Sequence, residues 1–173
     1  MIRVSGRNYV LSTLHSAYVF RIMETGHPEH LYYGPSLGDP DLLSGEALAH
    51  TADVLEERKE FAGGNMIEYD AEHPSLMPED LRLEMSSYGK GDIREPFVEV
   101  IHEDGSFTSD FLFEKAEIRK EKTPVKTLPS SYYGEEESAE ELVITMRDAQ
   151  YDLRLELYYN VLKTATASHG EQN

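Results

Sequence analysis

The sequence contains no cysteine, so the chain can form no disulfide, offer no thiolate nucleophile and bind no zinc or iron–sulfur cluster through sulfur. This absence favours a reducing compartment, and we expect a cytoplasmic protein. Basic residues are also scarce, because 16 lysines and arginines stand against 33 aspartates and glutamates, for a net charge of −17. Such a surface repels phosphate backbones and anionic lipids, which argues against nucleic acid and membrane surfaces as partners.

Long apolar runs are missing as well. The N-terminal segment alternates polar and apolar side chains and lacks the continuous core of roughly 7–15 apolar residues that marks a signal peptide. No stretch approaches the length of a transmembrane span. With 173 residues the chain has the size of one domain, for which roughly 100–200 residues is usual.

Period-two patterning predicts an all-β fold of about eight to ten strands. Strands over 8–14 and 16–23, followed by one that starts near 30, would form a meander. Strands over 97–102 and 106–114 would be joined at Asp104-Gly105, a dipeptide that tolerates the positive φ of a hairpin turn. A last pair, over 142–147 and 153–159, would place four residues on one face of its second strand: Leu153, Leu155, Leu157 and Tyr159.

The middle of the chain has a different composition. Segment 35–85 is rich in turn formers and poor in β-branched residues, so we interpret it as a long excursion from the sheet. Within this segment, residues 41–61 have a spacing compatible with a short helix. The acidic run over 135–141 is interpreted as a solvated turn or as the approach to a strand.

Two short motifs resemble ligand sites without meeting their requirements. Gly89 and Gly91 could open a phosphate-binding loop, but Arg94 replaces the third glycine of the dinucleotide fingerprint, and a strand rather than a helix should follow. His27 and His30 lie three residues apart, which puts them on opposite faces of a strand. No metal site and no cofactor is therefore predicted. Two further histidines are expected at the surface: His73 and His102.

Tyrosine is abundant, with 11 residues in the chain. Three doublets occur, at 32–33, 132–133 and 158–159. In a strand, a doublet points one ring inward and the other outward. Exposed rings can stack on sugars or become buried in interfaces, and packing in a core or an interface is the more common use.

Four stretches follow one another in the order of a known pattern: His30-Leu-Tyr-Tyr-Gly34, Ser86-Ser-Tyr-Gly-Lys-Gly-Asp-Ile-Arg-Glu-Pro96, Leu128-Pro-Ser-Ser-Tyr-Tyr133 and Leu153 to Tyr159. Together with Thr108-Ser-Asp-Phe-Leu112, they resemble the N-terminal region of family 36 α-galactosidases over about residues 7–160. The family's G-D-x-R-x-P block is the most specific part of this resemblance. Ser86-Ser87 stand where the family usually has Tyr-Pro, which indicates a subgroup.

The resemblance implies an antiparallel β-sandwich of galactose-mutarotase-like shape over 1–160, followed in the parent enzyme by a (β/α)₈ barrel. It also implies retaining hydrolysis of terminal α-galactosides of the melibiose or raffinose type. The family's catalytic aspartates lie in barrel motifs, K-W-D-x-N and S-G-G-x-R-x-D, that do not occur here, so no catalytic residue is expected in this chain. The expected contribution is assembly and substrate-rim contacts.

Three residues are candidates for the substrate rim or the domain junction: Asn65, Asp92 and Arg94. Asp92 and Arg94 are expected to form a buried pair that fixes their turn by charge-assisted hydrogen bonds. The small, polar residues of 161–173 depart from the family pattern, and we expect a disordered tail. An incomplete sandwich would expose a strand edge, which predicts a homo-oligomer, such as a dimer. The alternative is a stand-alone carbohydrate-binding or scaffolding module.

Overall fold

The structure is a computed structural model that describes residues 1–38, 47, 50, 72, 82–92, 94–125, 127, 129 and 137–164. Several predictions concern residues outside this set: most of the helix over 41–61, the candidate Asn65, His73, the doublet at 132–133 and residues 165–173 of the tail. No helix in the described part of the chain is long and apolar enough to cross a membrane.

The N-terminal strands form a four-stranded antiparallel meander, which we call the N-terminal sheet. Its strands are β1 (Ile2–Ser5), β2 (Asn8–Ser12), β3 (Ser16–Ile22) and β4 (Pro28–Pro35), in the order β1-β2-β3-β4. Val19 pairs with Tyr32 and Phe20 with His30, so Leu31 is the extra residue of a bulge in β4. The meander predicted for this region is confirmed.

Two short strands, β5 (Ser87–Tyr88) and β6 (Gly91–Asp92), pair in parallel within the glycine-containing block. The remaining strands form the C-terminal sheet, an antiparallel meander of β7 (Leu112–Arg119), β8 (Glu137–Asp148) and β9 (Leu153–Thr164). The predicted last hairpin is therefore present, and β9 extends four residues beyond the predicted domain end at 160. The predicted tail thus includes the end of a strand.

The N-terminal and C-terminal sheets pack face to face around one apolar core. The N-terminal sheet contributes Tyr9, Leu11 and Phe20, while the C-terminal sheet contributes mainly three fully buried residues of β8: Leu142, Ile144 and Met146. On β9, Val161 is buried in this core, whereas Leu153, Leu155, Leu157 and Tyr159 pack against it and are only partly buried. Alternation along each strand thus produces the all-β sandwich that the sequence predicts.

The segment between β6 and β7 differs from its prediction. The turn at 103–105 is present, since His102 N–H donates to the Ser106 carbonyl at 2.9 Å and Gly105 has a φ of 82°. The flanking residues 97–111 are not regular strands. Their backbone groups are partly bonded to side chains instead, because Asp110 N–H donates to Asp148 Oδ2 at 2.9 Å and Ser87 Oγ donates to the Ser109 carbonyl.

Candidate functional site

The block around Asp92 forms a tight turn. Asp92 Oδ1 accepts the backbone N–H groups of Arg94 at 2.7 Å and Glu95 at 3.3 Å. Gly89 has a φ of 76°, and a Cβ at this position would lie 3.3 Å from Thr108 Oγ1, so both the conformation and the space favour glycine. The predicted buried pair of Asp92 and Arg94 is wrong, because Arg94 is exposed and Asp92 fixes the turn through backbone amides.

Four large apolar side chains near this turn remain exposed, and we call them the 88–107 surface: Tyr88, Phe97, Ile101 and Phe107. Phe97 and Ile101 are 67% and 69% exposed, although the intervening Val98 packs against the core. The rings of Tyr88 and Phe107 lie 6.0 Å apart. Such a concentration of exposed apolar side chains is typical of an interaction surface.

His102 is buried beneath the hairpin turn, so the prediction that it lies at the surface is wrong. Its ring stacks on Tyr151 with centroids 3.4 Å apart, and Nε2 lies 2.9 Å from Ser109 Oγ. Tyr151 in turn donates its hydroxyl to Asp104 Oδ2 at 3.1 Å. The hydrogen bond from the Ser106 backbone lowers the pKa of the Asp104 carboxyl, and the hydrogen bond from Tyr151 lowers it further by a smaller amount. These contacts attach the hairpin to the turn between β8 and β9.

A second cluster joins the two sheets at Glu84, and we call its members Tyr18, His30, Glu84 and Tyr159 the Glu84 cluster. Glu84 Oε1 accepts the hydroxyl of Tyr18 at 2.5 Å and that of Tyr159 at 2.8 Å. His30 Nδ1 lies 3.7 Å from Glu84 Oε2, and the Glu84 side chain is only 6% exposed. Oε2 is buried and has no hydrogen-bond partner within the described part of the chain.

The two phenols of this cluster are held in their neutral form. Burial, together with the adjacent Glu84 carboxylate, raises the pKa of Tyr18 and of Tyr159 well above the ordinary value of 10. Both hydroxyls therefore act as hydrogen-bond donors over the whole physiological pH range. The carboxylate depends on them, because each removed donor would leave a buried charge less well compensated.

The rings of the cluster belong to a longer aromatic row. Tyr9 stacks on Phe20 with centroids 4.9 Å apart, and Phe20 stacks on Tyr159 at 5.2 Å. Tyr18 lies 6.2 Å from Tyr159 and 6.0 Å from Tyr33, which is 72% exposed. The row therefore runs from the fully buried Phe20 to the surface at Tyr33.

A third polar group surrounds His27, which is buried. Its Nδ1 lies 2.9 Å from Thr25 Oγ1, and its Nε2 lies 2.9 Å from Asp110 Oδ1. A hydroxyl, an imidazole and a carboxylate in this order resemble a catalytic relay, but a substrate has little access to an imidazole that is 4% exposed. The group instead attaches the β3–β4 turn to the segment that enters β7, and Phe113 N–H donates to the Gly26 carbonyl beside it.

The two histidines of the 27–30 motif have separate partners. His27 contacts Asp110, whereas His30 faces Glu84. In the described ranges, no group of three or more histidine, aspartate and glutamate side chains is placed to hold a metal ion. Glu141, which belongs to the predicted solvated acidic run, is in fact fully buried and accepts both the N–H of Thr123 at 2.8 Å and its hydroxyl at 2.6 Å.

Sequence reasoning did not identify Glu84 as a site residue. Its hydrogen-bond partners lie 66 and 75 positions away, so no local motif connects them. The alternation along β9 did place Tyr159 on the inward face. A carboxylate within reach of that face could be recognised only after the two sheets had been packed together.

Comparison with known proteins identifies a family that matches most of the chain. The family described as the glycosyl hydrolase family 36 N-terminal domain matches residues 26–167. The chain is 28% identical over 155 residues to the bifunctional α-galactosidase/sucrose kinase AgaSK of Mediterraneibacter gnavus, covering 90% of this chain and 15% of that protein. It is 27% identical over 144 residues to the α-galactosidase AgaA of Geobacillus stearothermophilus, covering 83% of this chain and 18% of that protein.

Solved structures show the same fold. An α-galactosidase from Lactobacillus brevis has 26% identity and a TM-score of 0.70, over 89% of this chain and 19% of that one. The galactosidase domain of AgaSK has 24% identity and a TM-score of 0.73, over 95% of this chain and 21% of that one. AgaA variants were solved with raffinose and with stachyose. The chain thus spans about a fifth or less of the length of these relatives.

Proposed function

Because the chain belongs to the glycosyl hydrolase family 36 N-terminal domain family, we propose that it forms the N-terminal β-sandwich portion of an α-galactosidase. The observation that carries this proposal is the family match over residues 26–167, which includes β4 of the N-terminal sheet and all three strands of the C-terminal sheet. The named relatives AgaSK and AgaA support the choice of activity.

The chemistry of such an enzyme lies outside this chain in our proposal. A retaining glycosidase needs two carboxyl groups about 5 Å apart, one as nucleophile and one as acid/base. The buried carboxylates described above already accept structural hydrogen bonds: Glu84 from two tyrosines, Glu141 from Thr123, and Asp148 from the backbone of Gln150 at 2.9 Å. The domain would therefore contribute assembly and substrate-rim contacts and would be inactive alone.

Among the described residues, those of the 88–107 surface are well suited to a domain junction. It combines exposed apolar side chains with the polar turn of Asp92 and the exposed Arg94, and interfaces typically combine an apolar centre with a polar rim. Asp92 would keep the turn rigid, while Arg94 would contact the neighbouring domain. Asn65 remains a rim candidate because of its place in the 35–85 excursion.

A homo-oligomer is also proposed, and the inner face of β9 supports it. Leu153, Leu155 and Leu157 are only partly buried, whereas their neighbours on β8 are completely buried. A second copy that covers this side of the sandwich would bury the remaining apolar area. Sedimentation velocity at micromolar concentration checks this, and a monomer at every concentration would contradict it.

The substrates proposed for the parent enzyme are α-galactosides of the melibiose and raffinose type, since AgaA variants bind raffinose and stachyose. The lack of cysteine supports a cytoplasmic location. Nucleic acid and anionic membranes remain unfavourable partners at a net charge of −17.

The proposal is tested by the reading frame that follows this chain and by an activity assay. We expect a barrel that carries both aspartate motifs downstream of the sandwich, and hydrolysis of p-nitrophenyl α-galactoside only by the protein that includes the barrel. Turnover by the 173-residue chain alone would show that the assignment of the chemistry to the barrel is wrong. A downstream sequence without either motif would contradict the α-galactosidase assignment.

A further inference from the structure

The exposed end of the aromatic row combines a flat apolar ring with polar groups that are not fully bonded. We propose that Tyr33, His30 and Glu84 form a subsite for a neutral saccharide, with the Tyr33 ring as the stacking platform and His30 as the polar anchor. This inference rests on the proposed function for the class of sugar, whereas the exposed ring and the imidazole account for a ligand that has an apolar face and a hydroxyl group beside it.

Tyr33 is held in place by its strand rather than by burial. It pairs with Tyr18 across β3 and β4, and its ring lies 6.0 Å from that of Tyr18 while remaining 72% exposed. The neighbouring Tyr32 donates its hydroxyl to the Pro35 carbonyl at 2.9 Å, which fixes the end of β4. A Cβ on Gly34 would lie 2.6 Å from the Tyr32 hydroxyl, so this arrangement favours glycine. A tyrosine side chain has only two rotatable bonds, so it loses little entropy when a sugar stacks on its ring.

His30 provides the polar side of the subsite, and the buried Glu84 behind it orients its imidazole. The Glu84 carboxylate directs Oε2 toward His30 Nδ1 at 3.7 Å, and Oε2 has no hydrogen-bond partner among the described residues. A movement of about 0.5–1 Å would bring the two atoms to hydrogen-bond distance. With its proton on Nδ1, the imidazole presents Nε2 as an acceptor for a sugar hydroxyl, and the His30 side chain is 27% exposed.

The charge of the molecule restricts the ligand further. At a net charge of −17, a sugar that carries phosphate, sulfate or carboxylate would be repelled, and the subsite itself contains the Glu84 carboxylate behind His30. The tyrosine hydroxyls of the cluster are already directed to Glu84. A neutral pyranose, with a C–H face for Tyr33 and hydroxyls for His30, fits these conditions.

The test is saturation-transfer NMR on the full 173-residue chain with galactose, melibiose and raffinose. We expect dissociation constants on the order of 1 mM, which corresponds to about −4 kcal/mol and suits an open surface. Transfer should be strongest to the protons on the apolar face of the pyranose. Glucuronate serves as the anionic comparison and should show no transfer.

Four variants separate the roles of the residues. Tyr33→Ala should weaken binding by about tenfold or more, whereas Tyr33→Phe, which keeps the ring, should change it by no more than about twofold. Tyr158→Ala is the matched control, because Tyr158 is a 44% exposed tyrosine on β9 and should leave binding unchanged. His30→Ala should reduce affinity without removing the transfer to the apolar face.

Two results would overturn the subsite: no saturation transfer to any neutral saccharide up to about 20 mM, or binding that Tyr33→Ala and Tyr158→Ala affect equally. In the second case the ring would be a packing surface for another part of the protein. An active barrel downstream combined with no saccharide binding by this chain would reject the subsite alone. Binding that Tyr33→Ala abolishes, with no α-galactosidase activity in the longer protein, would reject the enzyme assignment alone.

Discussion

Replacing Tyr159 by phenylalanine tests whether the Glu84 cluster holds the two sheets together. The change removes a hydroxyl that donates to Glu84 Oε1 at 2.8 Å and leaves the ring against the core. A hydrogen bond to a charged group contributes roughly 1.5–3 kcal/mol, so we expect the free energy of unfolding to fall by about that amount. For a chain of this size, this loss corresponds to a decrease of about 3–12 °C in Tm.

The adjacent Tyr158 supplies the control. Its hydroxyl bonds to Glu156 Oε2 at 2.5 Å, but the ring points outward from the same strand and is 44% exposed. Tyr158→Phe should therefore change stability by no more than about 0.5 kcal/mol. Both variants lose one tyrosine hydroxyl that is bonded to a glutamate. The difference between their free energies of unfolding therefore measures the effect of burying the Glu84 carboxylate.

Urea unfolding, followed by far-UV circular dichroism, gives the free energy of each variant. A double-mutant cycle with Glu84→Gln should show a coupling energy of about 0.5–3 kcal/mol between Glu84 and Tyr159, because the two side chains share one hydrogen bond. Equal losses for Tyr158→Phe and Tyr159→Phe, or a coupling energy near zero, would refute the argument that this bond stabilises the sandwich.

Three further predictions concern pH, a buried carboxylate and the Asp92 turn. Since the pKa of Tyr18 and of Tyr159 is raised in the folded chain, the contribution of these phenols to stability should be constant below about pH 9 and fall above about pH 10 by up to about 1.4 kcal/mol per pH unit for each phenol. Urea unfolding at several pH values measures this slope; Tyr18→Phe should reduce it, and an unchanged slope would contradict the argument. Glu141→Ala should lower the free energy of unfolding, measured with urea, by about 2–4 kcal/mol, because it removes two hydrogen bonds to a buried carboxylate. Glu141→Gln should lower it by less, and equal losses for the two variants would exclude the charge of Glu141 as the cause. Asp92→Ala should lower stability by about 0.5–1.5 kcal/mol and Arg94→Ala by less than about 0.5 kcal/mol, as measured by thermal unfolding, and the reverse order would support the buried ion pair that the sequence predicted.

The regular strands could be predicted because their signal is local. Apolar and polar residues alternate along β3 and β9, which is the pattern of a strand with one face buried, and both strands occur where this pattern indicates them. The prediction of regular strands within 97–111 was wrong because their hydrogen bonds depend on residues that are distant in the sequence. That segment carries a strand-like pattern, but side chains from elsewhere in the fold, such as Asp148 and Ser87, take the backbone hydrogen bonds that a ladder would need.

Charge and burial were harder to predict from the sequence. Glu141 lies in a run of acidic residues that indicates a solvated segment, yet it is completely buried because Thr123 supplies two donors across 18 positions. His102 is buried for the same reason: Tyr151 stacks on its ring, and the Ser109 hydroxyl forms a hydrogen bond with its Nε2. A polar side chain is buried wherever the fold supplies partners for it, and a local sequence pattern does not contain that information.

The sequence by itself determined the all-β class, the N-terminal meander, the hairpin of β8 and β9, and the family, because each depends on residues close together in the chain. Only the tertiary structure decided that Arg94 is exposed rather than buried in a pair, and that Glu84 joins Tyr18 to Tyr159 between the sheets. The physical reason is that hydrogen bonds and burial depend on distances in space, and the partners of Glu84 come within reach only when the N-terminal sheet packs on the C-terminal sheet.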